Sequence, residues 1–214
     1  MPAALEESAT PVIIGRSSSH FTRITRIFAA ELRVDYSLQV VRDLMSPNPG
    51  DYGGNPALRI PVLQTPQGAW FGALNICREL YRRSSLKPRV VWPEDLTIPV
   101  TANAQELVLQ AMATEVTLVM SKVGGASDTT VHYQKQRKAL LDMMSWLEQH
   151  AGSALAELPP QRDLSFLEVT LFCLVQHLEF REVLPTAPYA ELTRFCQQFA
   201  TRASCADTPF RFDT

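Results

Sequence analysis

Residues 55–63 of the chain read NPALRIPVL, an Asn-Pro turn pair followed by an apolar run that contains a second proline, Pro61. The turn-like residues TPQG follow at 65–68, and a second apolar run, AWF, follows at 69–71. The two runs and the turn between them predict a hairpin of antiparallel strands. Because a proline cannot donate a hydrogen bond to a sheet, Pro61 has to lie at an edge, a bulge or a turn.

Upstream of this hairpin, the chain alternates strand and helix patterns. Residues 12–14 form a β-branched run, and residues 17–20 can end it and cap a following helix. Apolar residues then recur at the spacings of three and four that are typical of an amphipathic helix: Phe21, Ile24, Ile27, Phe28 and Leu32. Residues 36–41 alternate as a second strand does, and residues 74–81 look helical. The pattern predicts a small mixed sheet with a parallel pair joined by a helical crossover.

The second half of the chain shows only helical patterns. Asn103 and Glu106 form a capping pattern that predicts a long helix from about residue 102, and the Gly124–Gly125 pair ends it. Further helices are expected at about 128–150, from Ser165 with Glu168 as capping partner, and at about 188–202.

A proline-containing stretch separates the two halves. We place a linker at residues 85–99, which include several prolines and mixed charges. The sequence therefore predicts an α/β domain at residues 10–84 and an all-α helical bundle at residues 100–214.

The composition is that of a globular protein, since 46% of the 214 residues are hydrophobic and 20% are charged. A net charge of −2 lacks the basic excess of proteins that bind nucleic acid or anionic lipid. The N-terminal residues show no signal-peptide pattern, and the apolar runs are shorter than the ~18 residues that a membrane helix needs. We expect a cytoplasmic protein with no nucleic-acid and no membrane partner.

The cysteines and histidines do not predict a metal site. The four cysteines, which contain no C-x-x-C pair, are Cys77, Cys173, Cys196 and Cys205. This spacing favours neither a zinc knuckle nor a dithiol redox motif, and we expect buried thiols that act as small hydrophobic residues. His132, His150 and His177 also lack metal-ligand spacing.

The segment at 55–63, with Gly68 and the helix ending ICREL at 76–80, resembles the N-P-x-x-x-V/I-P-V/T-L … G … A-I-x-x-Y-L pattern of glutathione transferases. Upstream, Ser19-His20-Phe21 with RIFAA at 26–30 and VDY at 34–36 is similar to zeta- and omega-class members. Downstream, SFLE at 165–168 resembles the S-x-x-D box of the family, and RAS at 202–204 resembles part of its ending.

The resemblance implies a thioredoxin-like N-terminal domain that binds glutathione and an all-helical C-terminal domain. It further implies a homodimer that conjugates glutathione to a small electrophile, or uses glutathione to convert one. The alternative is a binding or structural member of the family that keeps the fold without turnover.

Three residues at 59–61 follow from this resemblance as glutathione-binding residues. Ile60 can pair its backbone with the cysteinyl unit of the extended tripeptide, and a cis peptide bond between Ile60 and Pro61 would expose that pair. Arg59 matches the basic residue that contacts the glycyl carboxylate, and a solvated surface arginine is the alternative.

The serine cluster supplies the expected catalytic hydroxyl. A hydroxyl that donates to the sulfur at a helix N-terminus stabilises the reactive thiolate. Ser19 matches the family position, and Ser18 or Ser17 is the alternative if the register differs, while all three serve only as caps in the simplest interpretation. A cysteine is absent there, which disfavours thiol exchange, and we interpret His20 as a surface histidine at the helix start.

Gly72 and Ala73 depart from the pattern, which has Glu-Ser at the start of this helix. Only backbone N–H groups and the helix dipole then remain for the γ-glutamyl carboxylate. The departure predicts weak glutathione binding and keeps the non-catalytic alternative open.

Overall fold

The structure is a computed structural model that describes residues 10–213. These residues form two compact units, one of residues 10–87 with 207–213 and one of residues Pro88–Ala206. The units thus divide inside the predicted linker, and residues 207–213 belong to the first unit, whereas the sequence analysis assigns them to the second. The functional limits of the two domains stay predictions.

The first unit is a mixed sheet with helices, as predicted. In chain order it contains strand β1 (Val12–Gly15), helix α1 (His20–Glu31), strand β2 (Ser37–Val40), a 3-10 turn (Pro49–Tyr52), strands β3 (Val62–Thr65) and β4 (Gly68–Phe71), and helix α2 (Ala73–Arg83). The strand order is β2-β1-β3-β4, with β1 and β2 parallel and the other neighbours antiparallel. The helical crossover and the hairpin of the sequence analysis are both present.

The register of the sheet brings three chain segments to one end. Ile14 near the end of β1 lies opposite Val62 at the start of β3, and Val62 lies opposite Phe71 at the end of β4. The segments that leave β1, enter β3 and leave β4 therefore all lie at the same end of the sheet. Pro61 precedes the first paired residue of β3, which explains how the sheet accommodates a proline.

The two faces of the sheet are both buried. Ile13 and its cross-strand partner Leu63 are fully buried on one face. On the other face, Ile14 and Val62 pack with Val41 and Tyr52 in an apolar cluster. Alternation along the strands separates these two sets, so both surfaces of this small sheet contribute to the core.

The end of β1 packs closely against the first turn of α1. A Cβ atom on Gly15 would lie 2.5 Å from Thr22 Oγ1 and 2.7 Å from Thr22 Cγ2. Thr22 is fully buried, and its Oγ1 accepts a hydrogen bond from the Arg16 N–H at 3.4 Å. Glycine at position 15 is therefore required by close approach.

The second unit is helical apart from a short pair of parallel strands. It contains β5 (Val90–Val91), a 3-10 turn (Pro93–Asp95), α3 (Pro99–Val123), α4 (Val131–Ala156), β6 (Leu164–Ser165), α5 (Phe166–Phe180), α6 (Ala190–Phe199) and α7 (Ala203–Ala206). The two-residue pairing of Val90 with Leu164 and Val91 with Ser165 is too short for a sequence pattern to indicate.

Two helix starts differ from their predictions. Helix α3 begins at Pro99 with Ile98 as N-cap, not at the Asn103–Glu106 pattern. Proline suits a first helical position because its fixed φ is helical and the missing N–H has no partner there. Helix α4 begins at Val131 because the hydroxyl of Thr130 caps it, accepting from the Tyr133 N–H at 3.2 Å.

The buried helix α5 begins where the sequence predicts. Ser165 accepts the Glu168 N–H at 3.2 Å, which is the first half of a capping box. The Glu168 carboxylate instead accepts two hydrogen bonds from Arg162, at 2.9 and 2.6 Å. This paired carboxylate raises the pKa of the Arg162 guanidinium.

The four cysteines form no disulfide bond in the described structure and all are buried, as expected of small hydrophobic residues. Among residues 10–213, no helix combines the length and the apolar character that a bilayer span requires.

We predict opposite stability changes for two Gly→Ala substitutions. Gly15→Ala forces Cβ against the buried Thr22 and should lower the free energy of unfolding by about 1–3 kcal/mol. Gly152 lies exposed inside α4, where the nearest atom to an added Cβ is 4.0 Å away. Gly152→Ala should raise the free energy of unfolding by about 0.5–1 kcal/mol, because alanine favours the helix. Urea unfolding followed by circular dichroism measures both, and equal shifts would contradict the close packing at Gly15.

Candidate functional site

The serine cluster forms the turn that connects β1 to α1. Ser19 is the N-cap of α1, and its hydroxyl oxygen accepts the Thr22 N–H at 3.3 Å. The Ser19 N–H donates to the Arg16 carbonyl at 3.1 Å, which closes the turn at residues 16–19. Because a hydroxyl both accepts and donates, the Ser19 O–H can still donate to a second group.

The three serines differ in exposure. Ser17 is 1% exposed, whereas Ser18 and Ser19 are half-buried. The Ser17 N–H donates to the Asp213 carboxylate at 2.8 Å, while the Ser17 hydroxyl has no partner among the described residues. An inward-facing Ser17 leaves Ser18 and Ser19 as the hydroxyls accessible to a ligand.

The interpretation of His20 as a surface residue is wrong. His20 is 1% exposed, and its ring contacts Phe21 edge-on at a centroid distance of 4.6 Å. Helix α1 is buried through most of its length, so its first residue is buried with the rest. The sequence pattern alone suggests a surface position at the helix start, and tertiary packing overrides it.

The segment that enters β3 is held by one asparagine. Asn55 is 4% exposed; its Nδ2 donates to the Arg59 carbonyl at 2.8 Å and its Oδ1 accepts the Ala57 N–H at 3.0 Å. These bonds fold residues 55–59 into a compact turn directly before Ile60. The Ile60–Pro61 peptide bond is cis, Ile60 is half-buried and the Arg59 side chain is exposed.

A buried tyrosine anchors the preceding loop. The Tyr52 hydroxyl donates to the Ser46 carbonyl at 3.0 Å, and the Ser46 hydroxyl donates to the Asp51 carboxylate. Burial raises the pKa of the Tyr52 phenol, and the charges of Asp43 and Asp51 raise that pKa further. The phenol therefore stays protonated at neutral pH and keeps its donated hydrogen bond.

The third segment begins helix α2 without a side-chain cap. Gly72 is the N-cap, with φ +83° and ψ 142°, and it makes no side-chain cap bond. An added Cβ on Gly72 would meet nothing within 4 Å, so the backbone conformation rather than space limits this position. Ala73 follows as the first helical residue and is 8% exposed.

The sheet register places these three segments at the same end of the first unit. They bring residues 17–19, residues 59–61 and the Gly72–Ala73 pair to the ends of three neighbouring strands. The site combines a hydroxyl at the start of α1, the backbone N–H and C=O of Ile60 next to β3, and the first N–H groups of α2, which have no acceptor within their own helix. Such a combination can hold an extended, anionic ligand.

The sequence analysis assigned no role to three further residues of this region. Thr22 and Asn55 hold the backbone of the first two segments, and Asp213 contacts Ser17 from the far end of the chain. Asn55 carried a usable signal, because an asparagine before proline is typical of turns. Asp213 carried none, since no local pattern links it to the serines.

Comparison with known proteins bears on both the first unit and the whole fold. Residues 18–83 match the family model described as glutathione S-transferase, N-terminal domain. No curated protein sequence matches the chain.

Three solved structures share the fold of the chain at its full length. A glutathione S-transferase from Methylobacillus flagellatus KT, solved with GSH bound, is 25% identical, with 93% of this chain and 98% of that chain covered and a TM-score of 0.74. A glutathione transferase family member from Pseudomonas fluorescens Pf-5, solved with bound glutathione, is 16% identical, with coverages of 94% and 99% and a TM-score of 0.77. A glutathione S-transferase from Methylobacterium radiotolerans, in complex with glutathione sulfonate, is 18% identical, with coverages of 95% and 97% and a TM-score of 0.70.

The family model covers the three segments of the site apart from Ser17, and the structures extend the likeness of the fold to the helical unit. Residues 18–83 are therefore similar to a glutathione S-transferase N-terminal domain, and the chain as a whole shares the fold of these transferases.

Proposed function

We propose that the protein binds glutathione at the end of its sheet and transfers it to a small electrophile. The observation that carries this proposal is the juxtaposition of Ser19, Ile60 and the Gly72–Ala73 helix start at the ends of three adjacent strands. The extended tripeptide would pair its cysteinyl backbone with Ile60. Its glycyl carboxylate would lie toward the exposed Arg59, and its γ-glutamyl carboxylate toward the N–H groups that begin α2.

The chemistry depends on the ionisation of the glutathione thiol. A free thiol has a pKa of about 8.5, so only a small fraction is thiolate at neutral pH. The Ser19 hydroxyl, at the positive end of the α1 dipole, would donate to the sulfur and favour the thiolate. The sulfur then bonds to the electrophilic atom, and the displaced electron pair leaves with the leaving group or, in an addition, takes a proton from water.

Ser19 can serve as cap and donor together. Its oxygen already accepts the Thr22 N–H at 3.3 Å, which polarises the hydroxyl and leaves its hydrogen for a donated bond. Preorganisation of this kind reduces the reorganisation that a charged sulfur would otherwise require.

A second candidate function is binding without turnover. Gly72 and Ala73 favour it, because this start of α2 offers no side-chain donor to the γ-glutamyl carboxylate. The half-buried Ser18 and Ser19 favour the enzyme. Calorimetric titration with glutathione, followed by turnover measurements with a panel of small electrophiles, separates the two: heat with turnover supports the enzyme, and heat without turnover supports the binding protein.

The absence of any heat at millimolar glutathione would overturn the transferase and favour a binding or structural member of the family that serves another ligand. Those turnover measurements would also identify the electrophile. They would place the protein among the family classes, where we expect a zeta- or omega-type member.

We also propose a cytoplasmic location. The four cysteines support it because they form no disulfide bond, and thiols persist in reducing compartments.

Ser19→Ala should raise the pKa of the bound thiol and lower kcat by roughly 10²–10³, the usual loss for one preorganised donor to an anion. Stopped-flow turnover and the ultraviolet absorbance of the thiolate measure these two effects. Thr130→Ala is the matched control, because it removes a hydroxyl N-cap from α4 in the second unit. If Ser18→Ala lowers kcat and Ser19→Ala does not, Ser18 is the donor; if neither does, the serines are only caps.

Ala73→Ser should tighten glutathione binding by about 10- to 100-fold, because a hydrogen bond to a charged group contributes about 1.5–3 kcal/mol. Gly72→Glu should tighten glutathione binding less than Ala73→Ser does, because glutamate at φ +83° strains the backbone and its partly exposed ion pair is weak. Calorimetry measures both variants. Ala190→Ser, at the exposed first residue of α6, is the control. If neither variant at 72 or 73 tightens binding, the site serves another ligand.

The protein should form a homodimer in solution, an expectation that rests on the family resemblance and on the prevalence of two-fold assemblies. Light scattering at micromolar concentration should give a mass twice that of one chain. A mass equal to one chain over the whole concentration range would refute the dimer.

A further inference from the structure

The C-terminal strap, which we define as residues 207–213, contacts the start of α1. The Asp213 carboxylate accepts the Ser17 N–H at 2.8 Å, and the Arg23 guanidinium lies over the Phe210 ring at 4.3 Å from its centroid. Both contacts lie within the first unit. The strap is therefore attached to the same turn that carries the serine cluster.

The contact between Asp213 and Ser17 is buried. The Asp213 side chain is 7% exposed and Ser17 is 1% exposed. Without the carboxylate, the Ser17 N–H would be a buried donor with no acceptor, which is costly. The Ser17 hydroxyl has no partner within residues 10–213, so Asp213 supplies the hydrogen bond that fixes this residue.

Fixing Ser17 fixes Ser19. The turn at residues 16–19 is closed by the hydrogen bond from the Ser19 N–H to the Arg16 carbonyl, so Ser17 and Ser19 belong to one hydrogen-bonded turn. The hydrogen bond at Ser17 therefore keeps the Ser19 hydroxyl in position, and loss of that bond would leave the hydroxyl less well positioned.

The Asp213 carboxylate is bonded to the turn that carries Ser19, so we infer that its charge acts on a thiolate bound there. Arg211 is the basic group paired with it, and its Nε lies 4.0 Å from Asp213 Oδ1 with 66% of its side chain exposed. An exposed arginine at that distance neutralises a carboxylate poorly. Arg16 and Arg23 are the other basic residues at this turn, and the Arg23 guanidinium lies over the Phe210 ring. Two anions at a partly buried site repel each other, so the carboxylate disfavours the thiolate.

We propose that Asp213 is a positioning residue of the thiol site, which holds the turn of Ser19 by accepting the Ser17 N–H and whose charge limits thiolate formation. This inference rests on the proposed function. It assigns the carboxylate two separable effects, one geometric and one electrostatic.

Asp213→Asn separates the two effects, because the amide oxygen can still accept the Ser17 N–H without a charge. In the glutathione complex, a pH titration of thiolate absorbance should show a lower thiol pKa and about 3- to 10-fold more thiolate well below that pKa. Asp213→Ala loses the acceptor as well, and its kcat should fall below that of Asp213→Asn. Asp207→Asn is the matched control, since it removes an equal charge from an exposed position of the strap.

Amide hydrogen exchange of the ligand-free protein tests the geometric effect without glutathione. Asp213→Ala should speed the exchange of the Ser17 amide by on the order of 10-fold or more, because a hydrogen bond to a charged group is lost. Asp213→Asn, which keeps a neutral acceptor, should speed that exchange less than Asp213→Ala does, and Asp207→Asn should leave it unchanged.

Unchanged exchange in Asp213→Ala would overturn the positioning role, and an unchanged thiol pKa in Asp213→Asn would overturn the electrostatic one. If the unsubstituted protein binds no glutathione, the proposed function fails and the thiol-site role of Asp213 fails with it. If the unsubstituted protein binds and turns over while the Asp213 variants match it, only this inference fails.

Discussion

The antiparallel register of β1, β3 and β4 is the constraint on which the candidate site depends. Ile14 pairs with Val62, and Val62 pairs with Phe71, so one end of the sheet receives the exit of β1, the entry of β3 and the exit of β4. A shift of this register by one residue would turn the buried side chains to the opposite face and would separate the three segments. The same pairings that build the core therefore also set the spacing of the ligand-binding groups.

A different local interaction or backbone conformation fixes each segment of the site. The hydroxyl of Ser19 caps α1, the amide of Asn55 closes the turn before Ile60, and the positive φ of Gly72 allows α2 to start without a side chain over its N–H groups. Because these interactions act on separate turns, the residues of one segment can change while the other segments keep their structure. The Gly72–Ala73 pair is such a change relative to the family pattern.

The parts of the fold that local signals govern were predictable from the sequence. The hairpin around residues 65–68, helix α1 and the Ser165 cap each depend on neighbours within a few positions, and the structure contains all three. Long-range packing was not predictable. The burial of His20, for example, depends on the tertiary environment of α1. The start of α3 was mispredicted for a local reason, because Pro99 at the first helical position competes with the capping pattern at Asn103 and Glu106.

The hydrogen bond between Ser17 and Asp213 joins positions separated by 196 residues. Residues 207–213 come after every other segment of the first unit, so translation supplies the acceptor of the Ser17 N–H after the donor's own strand and helix. The bond closes a loop of 196 residues, and the entropic cost of loop closure rises slowly with loop length. The turn at the serines can therefore gain this contact only after residues 207–213 have been translated.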